Sequence, residues 1–363
     1  MTEFEQKQGR IQSLLAEHSL EALLLRRASS FAWATCGSSS CVNIASTYGE
    51  AALLITPAGL HLVTNNIEAP RLEQEEQLAK QGWVFRVGPW HGTEDAVAGL
   101  TRGLRLGADG LYPGATDLSG EIARLRAHLT PEEGERFRTL GRLCAEGMAA
   151  AASAVRPGQT EYQIAGLLAA QAESRGVQAV VNLVATDERI LAFRHPLPTA
   201  RKLQRYAMLV LCGRRAGLVC SVTRFIHFGP LPADLRRKAE AVARVDATYI
   251  AATRPGEPFR TILQKAIQAY EAAGFPEEWQ LHHQGGVAGY EPREYVATPQ
   301  SIDTVSVGQA YAWNPTITGT KSEDTILVGE AGHEVLTAMP GWPEQLVPVG
   351  GEILRRPAIL EIT

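Results

Sequence analysis

Long helical patterns and short apolar segments alternate through the last two thirds of this 363-residue chain. This alternation is the feature that most constrains the fold. Thr130, Pro131 and Glu133 form a capping-box signature, which predicts the start of a long alanine-rich helix that ends before Arg156. Further helices are expected over about 160–174, 232–253 and 259–273, and strands over about 177–184, 207–211, 217–223, 307–313 and 324–328. Two helix pairs among sheet segments indicate a domain in which helices cover a sheet.

The first 128 residues have a different and shorter pattern. Apolar runs over about 21–26, 51–56 and 59–64 predict strands, and residues 3–18, about 66–81 and about 93–104 predict helices. Pro57 and Gly59 separate the second and third strands, which is typical of a hairpin. We therefore expect a small α/β domain over residues 1–128 and a second domain over residues 129–363.

The composition excludes several classes of function. The chain is 45% hydrophobic and 20% charged, has a formal net charge of −4 and contains no Lys/Arg-rich run, so we expect no nucleic-acid partner. It contains no run of about 18 apolar residues, so we expect no association with a membrane. The five cysteines are odd in number and match no zinc or redox spacing. Together with a polar N-terminus unlike a signal peptide, they predict a reducing, cytoplasmic location.

Four motif-like segments follow one another in the second half of the chain. They are F-R-H-P from Phe193, G-L-V-C-S-V-T-R from Gly217, L-H-H-Q-G-G-V-A-G-Y-E-P from Leu281, and W-N-P with S-E-D-T from Trp313 and Ser322. Their order and spacing resemble the creatinase, aminopeptidase P and prolidase superfamily of pita-bread hydrolases. The resemblance implies an α+β fold, in which a small α/β domain precedes a pita-bread domain with a curved antiparallel sheet and helices. It also implies a homodimer in which the N-terminal domain of one chain borders the partner's pocket.

The metal ligands of that superfamily are mostly missing here. Active peptidases of the superfamily hold two divalent metals with two Asp, one His and two Glu. The resemblance puts those positions at Val210, Ser221, His283, Asn314 and Glu323. Carboxylates suit paired divalent ions because they are hard, anionic oxygen donors, and only one of them is left. We therefore predict no dinuclear metal and no other cofactor, and a weak single-metal site at His283 and Glu323 stays open.

Several polar residues remain for catalysis and binding. The resemblance implies that His195 faces the substrate as a general acid or base, as in creatinase, a role that suits the near-neutral pKa of histidine. His283 and Glu323 are predicted to act with it as further catalytic residues. Four residues are predicted to contact the substrate: Tyr290, Asn314, Ser221 and Arg293. Arg293 can bind a carboxylate with its planar fork or can lie at the surface, and the sequence leaves both open.

These residues support two classes of function. The first is a metal-independent, creatinase-like hydrolase of a small molecule or short peptide that contains a C–N bond. The alternative is a non-catalytic pseudopeptidase that binds a peptide or metabolite or serves as a dimeric scaffold. A metal-dependent Xaa-Pro dipeptidase follows from the superfamily alone and conflicts with the ligand positions.

Overall fold

The computed structural model describes residues 1–92, 94–330 and 332–363. The chain forms two compact units. Unit 1 contains residues 1–132 and 216–218, and unit 2 contains residues 133–215 and 219–363. Within the described ranges, no helix combines the length and the apolar character that crossing a bilayer requires.

Unit 1 is built on one mixed sheet. Its strands are β1 (Ala22–Arg27), β2 (Tyr48–Thr56), β3 (Gly59–Asn65), β4 (Val84–Gly88), β5 (Leu106–Ala108) and β6 (Ala115–Asp117). Its helices are α1 (Glu3–Glu17), α2 (Ala28–Ala34), α3 (Ala69–Gln74), α4 (Glu94–Thr101) and α5 (Ser119–Ala127). The strand order is β4-β3-β2-β1-β5-β6. The predicted hairpin is present, because β2 and β3 pair antiparallel with Thr56 opposite Gly59.

In unit 1 one predicted helix is divided, and α2, α5, β4, β5 and β6 form although the sequence pattern did not predict them. The helix predicted over about 66–81 is divided into α3 and a 3-10 turn (Leu78–Gln81), because Gln77 between them has a left-handed φ of 54°. The helix predicted from about residue 93 starts outside the described residues, and α4 is its described part. The sequence pattern also missed α2. All residues of α2 are buried, so it has no polar face to produce a helical period.

Unit 2 combines two larger sheets, two hairpins and the long helices. Its strands are β7 (Gln178–Thr186), β8 (Tyr206–Arg215), β9 (Leu218–Phe228), β10 (Gly285–Ala288), β11 (Tyr295–Val296), β12 (Ala310–Trp313), β13 (Thr316–Ile317), β14 (Thr320–Lys321), β15 (Asp324–Val328), β16 (His333–Val335), β17 (Glu344–Val349), β18 (Glu352–Pro357) and β19 (Leu360–Ile362). Its helices are α6 (Pro131–Ala154), α7 (Glu161–Glu173), α8 (Glu188–Ala192), α9 (Ala233–Ala252) and α10 (Phe259–Ala272). One sheet has the order β19-β9-β8-β7 and the other β11-β10-β12-β15-β16; β13 pairs with β14, and β17 with β18.

The long helices form where amphipathic sequence meets a start signal. Helix α7 begins with a capping box, in which Thr160 accepts a hydrogen bond from the Gln163 main chain and the Gln163 side chain accepts one from the main-chain N–H of Thr160. Helix α10 buries one face, made of Phe259, Ile262, Leu263, Ala266 and Tyr270. Their spacing of three, one, three and four residues places them on one stripe of the helix. These helices form where the sequence predicts them.

The turn between β8 and β9 is displaced from the predicted position. The sequence pattern suggests a turn at 213–215, but β8 continues through Arg215. The chain reverses at Ala216 and Gly217, which have φ values of 48° and 77°, and two successive positive φ values are typical of a tight hairpin turn. Gly213 serves packing instead. A Cβ atom there would lie 2.5 Å from Val177 Cγ1.

Candidate active site

The candidate active site is built on β8, β9 and the segment that leads into β15. Ser221 is fully buried on β9, and its Oγ lies 3.3 Å from Cys212 Sγ on β8. Val210 precedes Cys212 by two residues, so both side chains lie on the same face of the strand. Val210 belongs to a buried apolar cluster with Tyr206 and Phe225. The structure therefore brings Val210 and Ser221 to one face of the sheet.

Glu323 is the charged centre of this face. Its carboxylate accepts hydrogen bonds from Thr223 Oγ1 at 2.5 Å and from Arg293 Nη2 at 2.9 Å. Lys321 Nζ lies 2.7 Å from Glu323 Oε2. The Lys321, Arg293 and Glu323 side chains are only 5%, 9% and 3% exposed. Burial opposes ionisation of Glu323, but the two neighbouring cations and the hydrogen bonds from Lys321 and Thr223 outweigh it and lower its pKa to about 2.

Arg293 links Glu323 to Ser221. Its Nη1 donates to Ser221 Oγ at 3.1 Å and to the Pro292 carbonyl at 2.6 Å. Its Nε is buried and has no hydrogen-bond partner. Of the two positions that the sequence leaves open, Arg293 takes the one inside the site. An unused buried donor of this kind is suited to an anionic group that enters the site.

Three histidines form a cluster in the same unit. His195 Nε2 lies 3.0 Å from His282 Nε2. The ring centroid of His283 lies 5.7 Å from that of His195 and 4.5 Å from that of His282. His195 and His283 are exposed, whereas His282 is partly buried. The structure thus brings together two of the predicted catalytic residues, His195 and His283, and adds His282 to them.

All three imidazoles are neutral near pH 7. Burial and then the charge of Lys321 lower the pKa of His195, and Glu323 opposes this effect. Burial, together with Lys321 and the neighbouring histidines, lowers the pKa of His282 to about 2. Although part of His283 is accessible to solvent, desolvation of its ring by the surrounding protein, followed by the charges of Arg293, His195 and Lys321, lowers its pKa to about 4. At neutral pH each ring therefore has one nitrogen lone pair that can accept a proton or bind a cation.

An ion pair holds the two histidine-bearing segments together. His195 lies in the loop after α8, and His282 follows a 3-10 turn (Glu278–Leu281). Arg194 Nη2 donates to Glu278 Oε2 at 2.6 Å and to Thr318 Oγ1 at 3.0 Å. Glu278 Oε2 also accepts from the Thr318 main chain at 3.0 Å. The residue next to His195 thus fixes the loop against the turn that presents His282.

Asn314 and Tyr290 differ in their surroundings. The main chain of Asn314 donates to the Gln284 carbonyl at 3.1 Å, and its Oδ1 is buried without a hydrogen-bond partner. The Tyr290 hydroxyl donates to Glu133 Oε1 of α6 at 2.6 Å, and Tyr290 is 2% exposed. The free Oδ1 of Asn314 is available to a ligand, whereas the Tyr290 hydroxyl proton is already used. Substrate contact by either residue stays a prediction.

Two glycines shape the strand that follows His283. A Cβ atom at Gly285 would lie 2.2 Å from the Ala312 carbonyl oxygen, and one at Gly286 would lie 2.3 Å from the Tyr295 carbonyl oxygen. Both glycines belong to β10, which lies between β11 and β12. The sequence leaves open whether these glycines approach a ligand or form a turn. In the structure they allow neighbouring strands to approach each other closely.

Sequence reasoning missed Lys321 and His282 as members of the site. Lys321 precedes Glu323 by two residues, and in an extended segment such a pair lies on one face. His282 is directly adjacent to His283, a ligand position by resemblance. The signal in both cases was proximity in the sequence to a predicted site residue.

Comparisons with known proteins find a family model that matches within unit 2 and two curated relatives that match part of the chain. The model of metallopeptidase family M24 matches residues 135–330. An agropine synthesis cyclase of Rhizobium rhizogenes is 30% identical over 168 residues, which are 43% of this chain and 42% of that protein. An uncharacterized peptidase of Staphylococcus epidermidis is 30% identical over 177 residues, which are 43% of this chain and 48% of that protein. The chain thus spans less than half the length of these curated relatives.

A solved structure resembles the fold over the whole chain. The Xaa-Pro dipeptidase from Bacillus anthracis is 19% identical, with a TM-score of 0.81 and coverage of 99% of this chain and 100% of that chain. At this identity the likeness concerns the fold. The predicted α+β class, with two domains and a pita-bread arrangement, is confirmed.

Proposed function

The chain belongs to metallopeptidase family M24, and we propose that within this family it is a hydrolase without a dinuclear metal centre. In this proposal it cleaves a C–N bond in a small substrate. The observation that carries the proposal is the arrangement around Glu323, whose carboxylate is paired with Lys321 and Arg293 at 2.7 and 2.9 Å. Two side-chain cations thus pair with the carboxylate that by resemblance is a metal ligand.

The residues at the ligand positions do not fit two divalent ions. Val210 has no donor atom and lies in an apolar cluster. Ser221 offers a hydroxyl that already binds Arg293, and Asn314 offers one neutral oxygen. Two divalent ions need several anionic oxygens to offset and bridge their charge, and Glu323 is the one carboxylate among these positions.

Electrostatics adds a second obstacle to a dinuclear centre. A divalent ion about 4 Å from one side-chain cation is repelled by about 8 kcal/mol at an effective dielectric constant near 20. Lys321 and Arg293 both contact Glu323, so an ion bound to that carboxylate meets both. The loss of three carboxylates and the presence of two cations therefore act in the same direction.

The histidines supply proton transfer in the proposed reaction. His195 is neutral at pH 7 and exposed, so it accepts a proton from water as the water oxygen attacks the carbonyl or guanidino carbon of the substrate. The same proton then passes to the nitrogen of the C–N bond. The bond breaks, and the nitrogen leaves as part of an amine. His283, also neutral, orients the water or the substrate by a hydrogen bond. Glu323 stays ionised throughout and holds Lys321 and Arg293 in place.

The charges favour an anionic substrate. Lys321 and Arg293 contribute two positive charges and Glu323 one negative charge, so with neutral histidines the three sum to +1. The free Arg293 Nε and Asn314 Oδ1 add one donor and one acceptor. We therefore propose that the substrate is a small molecule or short peptide with a carboxylate close to the C–N bond.

A substrate panel assayed in EDTA tests this function. The panel contains guanidino acids, N-acyl amino acids and Xaa-Pro dipeptides, and the release of free amine is measured with the full-length protein. We expect turnover in EDTA that falls by about 10²–10⁴-fold in His195→Ala, because a general acid or base contributes that much. His91→Ala, at an exposed histidine of unit 1, is the matched control and keeps full activity. Activity that requires two bound Mn²⁺ per chain contradicts the proposal and restores the dipeptidase.

A binding protein without catalysis is the second candidate. It is favoured by the internal pairing of Glu323, since a carboxylate held by Lys321, Arg293 and Thr223 is not free to act as an acid. In that case no member of the panel is hydrolysed, but a small carboxylic acid or peptide raises the melting temperature. Retention of that shift in Arg293→Met contradicts the assignment of Arg293 to the ligand, and the absence of any shift in the parent chain contradicts this second reading.

We also propose a homodimer, on the basis of the superfamily resemblance, and a cytoplasmic location, on the basis of five cysteines that match no zinc or redox spacing and of a polar N-terminus unlike a signal peptide. Analytical ultracentrifugation at micromolar concentration tests the assembly. A single species of 39.3 kDa, the mass of one chain, contradicts the dimer and leaves the proposed chemistry unaffected.

A further inference from the structure

His195, His282 and His283 are arranged as ligands are around a metal ion. One ring nitrogen from each of the three residues lies within 4.8 Å of the others. The Nε2 atoms of His195 and His282 are 3.0 Å apart. Four ligands at about 2.0–2.1 Å from a tetrahedral ion lie about 3.4 Å from one another. The three nitrogens are thus within about 1.4 Å of the separations that one ion requires.

We propose that His195, His282 and His283 bind one divalent transition-metal ion, in a site distinct from the carboxylate positions of the family. Only His283 belongs to both sets. His195 and His283 are exposed, so their rings can turn toward an ion and leave a fourth position for water. Three histidines with one open position form a known type of zinc site.

The histidines are not explained by bonds to the rest of the protein. In the described ranges, their ring nitrogens make no hydrogen bond to a carboxylate or a main-chain carbonyl. The one hydrogen bond that these nitrogens make joins His195 to His282. His282 Nδ1 is buried and has no partner. A buried imidazole nitrogen that serves only structure normally has such a partner, so His282 Nδ1 is the unexplained atom of the cluster. A bound cation would turn a cluster without partners into a set of ligands.

The scaffold keeps the three rings together without an ion. Arg194, which precedes His195, is tied to Glu278 at 2.6 Å, and Glu278 opens the turn that leads to His282 and His283. The two ligand-bearing segments are therefore fixed before metal arrives. Preorganisation of this kind lowers the entropy that binding must overcome.

The ligand set selects the kind of ion. Three neutral imidazoles suit Zn²⁺, Ni²⁺ or Cu²⁺, whereas Mg²⁺ and Mn²⁺ favour carboxylate oxygens. The positive charge of Lys321 weakens the binding of any cation nearby, and the pairing of Lys321 with Glu323 reduces this repulsion. We therefore expect a preference for Zn²⁺ over Mn²⁺, with one ion per chain.

Metal binding excludes proton transfer by the same atoms. An ion on His195 occupies the lone pair that accepts the proton of water, so Zn²⁺ inhibits the hydrolase. This consequence rests on the proposed function, whereas the site itself does not.

Calorimetric titration of the EDTA-treated full-length protein with ZnCl₂, and separately with MnCl₂, tests the site. We expect one Zn²⁺ per chain, at least tenfold tighter than Mn²⁺, and a higher melting temperature with Zn²⁺. His282→Gln should weaken Zn²⁺ binding at least tenfold. His333→Gln is the control, since it removes a histidine of the same unit that contacts Arg254 and leaves the cluster intact. If His282→Gln does not fold, His195→Gln gives the same test at an exposed position.

The outcomes separate the two proposals. No Zn²⁺ binding, or equal binding by the parent chain and His282→Gln, overturns the metal site and leaves the hydrolase untouched. If two Mn²⁺ bind per chain and turnover depends on Mn²⁺, the proposed function is wrong. The Zn²⁺ titration of the histidine variants then still decides whether the metal site exists. Turnover in EDTA that Zn²⁺ abolishes in the parent chain supports both proposals.

Discussion

Lys321 Nζ lies 2.7 Å from Glu323 Oε2, and both side chains are almost completely buried. The pair brings a fixed positive charge to the carboxylate that by family resemblance is a metal ligand. Arg293 adds a second cation at 2.9 Å on the other carboxylate oxygen. Under the proposed function, these two covalently attached cations take the place of metal ions at Glu323, and we expect this exchange to determine how the site responds to substitution, pH and metal.

Removal of Lys321 should destabilise the fold. Lys321→Met leaves the buried Glu323 with Arg293 and Thr223 as partners. Breaking a buried ion pair typically costs about 3–5 kcal/mol, and we expect about 3 kcal/mol because Arg293 remains. Urea denaturation at pH 7 measures the change. Lys265→Met is the control, since Lys265 pairs with Glu257 at 2.7 Å on the surface and should lose at most about 1 kcal/mol. Equal effects of the two substitutions contradict the charge-pair interpretation.

The stability that Glu323 contributes should depend on pH. Its pKa is about 2 in the folded protein and 4.5 ordinarily, so its contribution is complete above about pH 4.5. As pH falls from 4.5 toward 2, the unfolded chain takes up the proton first and this stability is lost. At about 1.4 kcal/mol per pKa unit, the contribution is on the order of 3 kcal/mol. Urea denaturation of the parent chain and Glu323→Gln between pH 7 and 3 should show their difference shrinking below pH 4.5. A difference that stays constant over this range argues against a depressed pKa.

Much of the fold could be predicted from the sequence because its signals are local. The start signal at Thr130 and Pro131 marks α6, which begins at Pro131, and amphipathic spacing marks α10. Elements without a polar face give no such signal, which is why α2 was missed. The β8–β9 turn was misplaced because Gly213 looks like a turn residue, whereas its role is to pack against Val177.

The site residues could be predicted where the spacing of the motifs fixes their positions. They could not be predicted where their role depends on a contact between residues that are distant in the sequence. Val210 and Ser221 share a face, as the strand period and hairpin require. The use of Arg293 as a partner of Glu323 depends on a contact between residues 30 positions apart in the sequence. No local pattern predicts such a contact. The same holds for Tyr290 and Glu133, which are 157 positions apart.

His283 should stay neutral well below the usual pH of histidine protonation. Its pKa is about 4 in the folded protein and 6.5 ordinarily, chiefly because surrounding protein groups desolvate the ring, although part of the residue is accessible to solvent. The unfolded chain therefore binds a proton first, and the stability associated with neutral His283 is lost as pH falls from about 6.5 toward 4. The ring-proton chemical shifts, assigned with His283→Gln, report this pKa directly. A midpoint near 6.5 contradicts the expected environment, and His91 in unit 1 provides an exposed reference.

The Tyr290 hydroxyl gives a way to separate substrate binding from packing. Tyr290→Phe removes the 2.6 Å hydrogen bond to the buried Glu133, and the loss of a bond to a buried charged group costs about 1–3 kcal/mol. If Tyr290 serves the fold, the melting temperature falls and KM stays unchanged. A rise in KM at unchanged stability instead supports the predicted substrate contact. Tyr162→Phe, at an exposed tyrosine of α7, is the control for the loss of a hydroxyl.

Restoring the missing carboxylates should restore metal binding only when the internal cations are also removed. The variant V210D/S221D/N314E supplies three acidic side chains at the ligand positions, but Lys321 and Arg293 remain to pair with them. We expect this variant to bind Mn²⁺ weakly, because each fixed cation repels a divalent ion by several kcal/mol at short range. Adding K321M to the same variant should tighten Mn²⁺ binding at least tenfold, as measured by calorimetry. The single change S221D, with and without K321M, repeats the comparison if the apolar surroundings of Val210 do not accept a carboxylate. If K321M leaves the Mn²⁺ affinity unchanged in both the triple variant and S221D, the fixed cations do not determine metal binding at this site.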